Sequence, residues 1–145
     1  MKTERILIVA DDSPPSVKAV KYGFNLAAKL KAKVLLLTVA DEALMMGNPD
    51  AGVFPDDALI AMKGKAEDFL NRMKEKYADH VDTELMAQAG DVQTVVIDTA
   101  VKWKADLIIS GTHGRKGLNK LFKGSIAESI IRNSPVPVCV VPTGR

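Results

Sequence analysis

A chain of 145 residues is long enough to bury one sizeable core, and a formal net charge of +2 argues against a general nucleic-acid or membrane partner. The composition is rich in aliphatics and poor in aromatics, as in an ordinary globular protein, and no apolar run is long enough for a membrane-spanning helix. The single cysteine, Cys139, excludes an internal disulfide framework and suits a reducing compartment.

The chain opens Met1-Lys2-Thr3-Glu4-Arg5 and passes straight into an aliphatic stretch, so no signal peptide is expected and the expected location is cytoplasmic. Residues 5–10 read as a short strand buried on both faces. Ser13 followed by Pro14 marks a helix start, a cap and then a proline in the first turn. Val17, Val20, Phe24 and Ala27 continue that helix at core spacing. Residues 33–39 form the second strand. Between 41 and 55 the periodicity disappears, and Gly47-Asn48-Pro49 and Gly52 break the chain. A connection of that length is usually functional or mobile. Met45 and Met46 within it either line a lid or interface, or fill a gap in the core.

Asp56 or Asp57 is expected to cap a second helix, whose apolar stripe is Leu59, Met62, Ala66, Phe69, Leu70, Met73 and Tyr77. Residues 81–87 read as a more polar third strand, nearer a sheet edge. Asp91 caps a third helix with Val92, Val95, Val96, Thr99 and Trp103 inward. Residues 107–110 and 138–141 are the fourth and fifth strands, with a helix opening at Ile126 between them. Five strands alternating with four helices imply an α/β fold, a parallel sheet covered on both faces. With no repeat, low-complexity tract or linker, residues 1–145 are expected to form one domain.

The most informative pattern follows the fourth strand. Gly111, Gly114 and Gly124-Ser125 make G-x2-G-x9-G-S, a strand, a glycine-rich loop and a helix start in succession. Glycines let backbone N–H groups approach a ligand, and a helix N-terminus adds partial positive charge, so the combination suits a phosphate. Arg115, Lys116, Lys120 and Lys123 add four cations and the loop contains no acid. Simpler roles compete. The glycines also suit a tight turn, and Ser125 with Glu128 forms an S-x-x-E capping box. Ser125 can cap and still turn its N–H toward an anion. Glu128 is left out of the site, because its charge opposes a phosphate.

These residues resemble the universal stress protein family (UspA-like), in its ATP-binding branch. The resemblance runs through Ile6-Leu7-Ile8-Val9-Ala10-Asp11-Asp12-Ser13 and Ala105-Asp106-Leu107-Ile108-Ile109. It continues in Gly111-Thr112-His113-Gly114-Arg115, Gly117-Leu118, Gly124-Ser125-Ile126-Ala127-Glu128 and Pro135-Val136-Pro137-Val138. Thr38 stands where a histidine is usual, and Gly90-Asp91-Val92 where G-D-P is common. The resemblance implies a Rossmann-like doubly wound sheet ordered 3-2-1-4-5. It also implies a ligand set of Asp11, Val39, Gly111, Thr112, Gly114, Arg115, Gly124, Ser125 and Ile126.

In that order strands 1 and 4 are neighbours, and the crevice between them is where open α/β sheets take ligands. The resemblance places Asp11 at the adenosine end and has Val39 meet adenine through its backbone. Asp11 has a plainer reading as a cap or turn acceptor, which Asp12 or Ser13 would serve equally well. The implied ligand is ATP, with AMP or ADP as alternatives and Mg²⁺ or Mn²⁺ brought in by the phosphates. The implied assembly is a homodimer paired through the C-terminal strand, with regulatory protein partners unidentified.

His113 lacks a paired histidine or carboxylate nearby, and His80 is expected at the surface. Cys139 is expected to be a small buried hydrophobe. The expected activity is that of a sensor or regulator with very slow ATP hydrolysis or none. One alternative is a slow ATPase or adenylyl-transferring enzyme on the same sheet. The other is a dimeric interaction protein without nucleotide.

Overall fold

The computed structural model describes residues 2–41, 55–112 and 126–142. The elements are β1 (Arg5–Val9), α1 (Pro14–Leu30), β2 (Lys33–Asp41), α2 (Pro55–Tyr77), β3 (Thr83–Gly90), α3 (Val92–Trp103), β4 (Leu107–Gly111), α4 (Ile126–Asn133) and β5 (Val138–Val141). All five strands are parallel, in the order β3-β2-β1-β4-β5. This is the expected Rossmann-like arrangement.

The central strands explain why both faces are covered. Ile6, Leu7 and Ile8 of β1, Leu35, Leu36 and Leu37 of β2, and Ile108 and Ile109 of β4 are all fully buried. A run without alternation leaves apolar side chains on both sides of the sheet, so each side needs a helical layer. Ile6, Ile8, Val34, Leu36 and Ile109 pack against Val20 and Phe24 of α1 and Phe69, Leu70 and Met73 of α2. On the other side, Leu7, Leu35, Leu37 and Ile108 pack against Val96 and Ala100 of α3 and Ile130 of α4. Each such side chain contributes about 1.5–3 kcal/mol by leaving water.

Several local expectations shift. β3 begins at Thr83 because Val81 belongs to the preceding turn, where its N–H donates to Ala78 O (3.0 Å) and its carbonyl accepts from Thr83 Oγ1 (2.9 Å). β3 then runs on to Gly90 while β2 runs on to Asp41, each the other's partner from Val39↔Gln88 to Asp41↔Gly90. A backbone ladder continues where the apolar pattern has stopped. Pro55 opens α2, so Asp56 and Asp57 lie in its first turn and not at the cap, facing the positive helix end. In α3 the buried positions are Val96 and Ala100, with Thr99 only half-buried. Asp91 caps α3 as expected, accepting from Thr94 N (3.1 Å). Cys139 is half-buried in β5, and its burial pushes the thiol pKa upward. The connection carrying Met45 and Met46 lies outside the described residues.

The N-terminal edge of the sheet is clamped. Asp106 Oδ2 accepts the Glu4 and Arg5 amides at 2.9 and 3.0 Å, while the Asp106 amide donates to Arg5 O at 2.8 Å. Arg5 Nε donates to Trp103 O (2.8 Å), and its guanidinium lies 4.3 Å from the Trp103 ring centroid. Lys33 and Glu84 join β2 to β3 at the same end (2.7 Å), and that hydrogen bond holds the Glu84 carboxyl below its ordinary range. The opposite, C-terminal edge is where the glycine-rich loop and the Asp11 turn emerge.

Candidate functional site

β1 and β4 pair directly, Ile6↔Leu107 to Ile8↔Ile109, but the helices that follow them lie on opposite faces of the sheet. The chain therefore parts at the C-terminal ends of these two strands and leaves a crevice. Asp11 lies just past β1, and Gly111 and Thr112 at the end of β4, so the two stretches do converge. A Cβ on Gly111 would stand 3.0 Å from the Pro15 carbonyl oxygen and 3.6 Å from Ser16 Cα. The end of β4 thus abuts the first turn of α1. That contact is with protein, so packing alone already calls for glycine at this position.

The turn after β1 is closely bonded. Ser13 is the N-cap of α1, its hydroxyl accepting the Ser16 amide at 3.4 Å and its carbonyl accepting the Val17 amide at 2.9 Å. The same hydroxyl donates to Asp11 Oδ1 at 2.5 Å, and the Asp11 amide donates to Ser16 Oγ at 2.6 Å. Ser13, not Asp11 or Asp12, takes the cap, and Asp11 is half-buried beside it. Pro14 and Pro15 have no N–H, and the next two amides are engaged with Ser13. The first turn of α1 therefore presents no amide to an anion.

Val39 lies beyond the last β1 pair, Val9↔Leu37. The Ala10 amide donates to Leu37 O and the Lys33 amide to Glu4 O, each at 2.9 Å, so odd-numbered β2 residues turn their backbone groups toward β1. At the level of Val39, β1 has already given way to the Asp11 turn. Its backbone polar groups consequently face the crevice. Thr38, in the position where the resemblance expects histidine, is buried at 6% exposure and turned to the side of Leu36, among the helices α1 and α2.

Thr112 Oγ1 is buried and has no hydrogen-bond partner among the described residues. A buried hydroxyl left so costs about 1–3 kcal/mol, and a polar ligand would relieve it. α4 opens at Ile126, directly after Ser125, so the pattern ends in a helix start as expected. Gly114, Arg115, Gly124 and Ser125 lie outside the described residues, as do His113, Lys116, Lys120 and Lys123. Glu128 accepts from Arg132 Nη2 at 2.9 Å, one helical turn on. His80 is exposed, with φ +63°. Among the described residues no cluster of three or more His, Cys, Asp or Glu is placed to hold a metal ion. Ser16 is the residue that the pattern did not single out. Its only signal was a small hydroxyl side chain on the third residue of a proline-opened helix.

The family model for the universal stress proteins matches residues 2–142. The chain belongs to the universal stress protein family. Among its universal stress protein relatives is MJ0531 of Methanocaldococcus jannaschii, 33% identical over 143 residues, covering 95% of this chain and 81% of that one. The fold is similar to that of hypothetical protein MJ0577, with a TM-score of 0.85 at 24% identity and coverage of 98% and 97%. It is also similar to that of a universal stress protein solved in complex with cAMP, with a TM-score of 0.73 at 22% identity and coverage of 99% and 100%.

Proposed function

We propose that this universal stress protein binds an adenine nucleotide, ATP first, in the β1/β4 crevice, and that occupancy of the site regulates its part in the stress response. The observation that carries the reading is the contact of Gly111 with the first turn of α1, which joins the Asp11 turn and the glycine-rich strand end in one crevice. The Thr112 hydroxyl, without a hydrogen-bond partner among the described residues, and the cAMP held by a protein of this fold support it.

In this reading the Asp11 carboxylate accepts from an amino or hydroxyl group of adenosine, and the Val39 backbone meets the base. Gly111, Thr112, Gly114, Arg115, Gly124, Ser125 and the amide of Ile126 surround the phosphates, with Arg115 supplying charge. Mg²⁺ or Mn²⁺ would be held chiefly by the phosphates themselves. AMP or ADP would fill part of the same site.

The proposed setting is a cytoplasmic, one-domain protein of residues 1–145, without a membrane or nucleic-acid partner. Among the described residues no helix is long and apolar enough to cross a membrane. β5 is an edge strand, paired with β4 on one side, and its other side would pair with a second copy to form a homodimer. Phosphoryl transfer needs a group that orients the attacking oxygen. In this reading Asp11 serves the adenosine end, so hydrolysis is very slow or absent.

The test begins by denaturing purified protein and identifying released nucleotide by chromatography. Titration calorimetry with ATP, ADP and AMP follows, on wild type and on Gly124→Val. Saturable binding that Gly124→Val abolishes supports the reading. Absence of both co-purified and titrated nucleotide overturns it. Turnover on the order of once per second or faster would make the protein an enzyme.

A further inference from the structure

A helix cap at position 13 needs only an acceptor for the Ser16 amide. The Ser13 hydroxyl does more, since its proton goes to Asp11 Oδ1 while its oxygen takes that amide. Ser16 answers from the other side, its Oγ accepting the Asp11 amide at 2.6 Å. Asp11 is thus held by its backbone and by its carboxylate at once. Ser13 and Ser16 are only 5% and 4% exposed, so water competes little for these bonds. Ser16 also stands against β4, with its Cα 3.6 Å from where a Gly111 Cβ would be.

From these contacts we infer that Ser13 and Ser16 are positioning residues. They fix the Asp11 carboxylate in one orientation relative to the end of β4 before any ligand arrives. A carboxylate on an unbraced turn would lose rotamer freedom when it bound, and that loss weakens affinity. Bracing removes the loss in advance. The Ser13 hydroxyl donates to the carboxylate, so that carboxylate is oriented as an acceptor, the role an amino or hydroxyl donor of a ligand requires. The inference rests on the nucleotide reading above, and concerns how tightly and how selectively its adenosine end is held.

The test separates bracing from capping. Ser13→Asp retains an oxygen acceptor at the cap, and aspartate caps as well as serine does. It has no proton to give Asp11, and its charge repels the Asp11 carboxylate. Ser13→Thr retains both functions. Ser16→Ala removes only the acceptor for the Asp11 amide. Each is made in wild type and in an Asp11→Ala background, with ATP and AMP affinity measured by calorimetry and stability by thermal unfolding.

Ser13→Asp and Ser16→Ala are expected to weaken both ligands about tenfold, the size of one lost hydrogen bond. Ser13→Thr should stay within about twofold, and in the Asp11→Ala background the serine changes should have no further effect on affinity. Equal losses with and without Asp11 would make the serines merely structural and overturn the inference. So would full affinity in a folded Ser13→Asp. If wild type binds neither ATP nor AMP, the nucleotide reading falls first and takes this one with it. If wild type binds, and Asp11→Ala weakens binding while Ser13→Asp does not, only the bracing is wrong.

Discussion

The missing β-carbon of Gly111 would lie 3.0 Å from the carbonyl oxygen of Pro15. The neighbour is backbone, at the start of a helix already held by Ser13, so it cannot swing aside as a side-chain end would. Gly111→Ala is therefore expected to cost about 1–3 kcal/mol, by prising α1 from the end of β4. Urea unfolding measures the loss. If the proposed nucleotide site is right, nucleotide affinity should fall in parallel, because the same displacement moves the Asp11 turn away from the end of β4. A variant as stable as wild type would mean that the two backbones part freely.

Gly23 and Gly64, both helical, make an opposed pair. A Cβ on Gly23 would stand 2.5 Å from Ile8 Cδ1, 2.9 Å from Ile8 Cγ1 and 3.4 Å from Ile109 Cδ1. Ile8 is fully buried, so its side chain has little room to yield. Gly23→Ala should destabilise by about 1–3 kcal/mol, with part of the loss recovered by Ile8→Val. At Gly64 nothing lies within 4 Å. There the alanine only reduces the freedom of the unfolded chain and favours helix, so Gly64→Ala should stabilise by about 0.5–1 kcal/mol. Denaturant midpoints for the two variants, compared at unchanged slope, check both signs.

Asp106 accepts two backbone amides, of Glu4 and of Arg5 at the start of β1, with one carboxylate oxygen. Asp106→Ala would leave the Glu4 and Arg5 amides without that partner at the head of β1, at a cost of about 1–3 kcal/mol. Asp106→Asn keeps an oxygen acceptor and should lose less. Hydrogen exchange at Glu4 and Arg5 is the specific readout. It should quicken in Asp106→Ala ahead of the sheet centre, since the lesion is local.

The Asp91 cap carries a pH signature. Its side-chain bonds to Thr94 Oγ1 (2.8 Å) and Thr94 N hold the carboxyl below its ordinary value of 3.8. A group whose pKa is lowered by folding adds stability above its unfolded pKa, and that stability is lost as pH falls through the folded value. Asp91→Asn should therefore melt earlier than wild type near neutrality, and the gap should narrow on acidification below 3.8. A gap that stays constant with pH would show that the charge of Asp91 contributes nothing.

Much of this architecture was legible because its causes are local. The aliphatic runs at Ile6, Leu36 and Ile109 require cover on both faces wherever they lie in a sheet. Ser13 before Pro14 and Asp91 before Val92 announce their helices by side-chain chemistry confined to one turn. Strand ends were less legible. Residues 88–90 of β3 carry no apolar signal, and they are strand because β2 offers them a ladder. The mistaken cap at Asp56 or Asp57 has a similar origin, since Pro55 can begin a helix by itself.

The site divides along the same line. Sequence alone determined the chemistry available: glycines and cations in one loop, a carboxylate after the first strand, and a helix start at Ile126. It also determined the family, because those types recur at fixed spacing along nearly the whole chain. Only the tertiary structure decided that Gly111 is held close by Pro15, that the first turn of α1 has no amide for an anion, and that Ser16 braces Asp11. Those facts depend on where β1 and β4 stand relative to each other. Strand pairing joins residues about a hundred positions apart, and no local pattern encodes the distance between them.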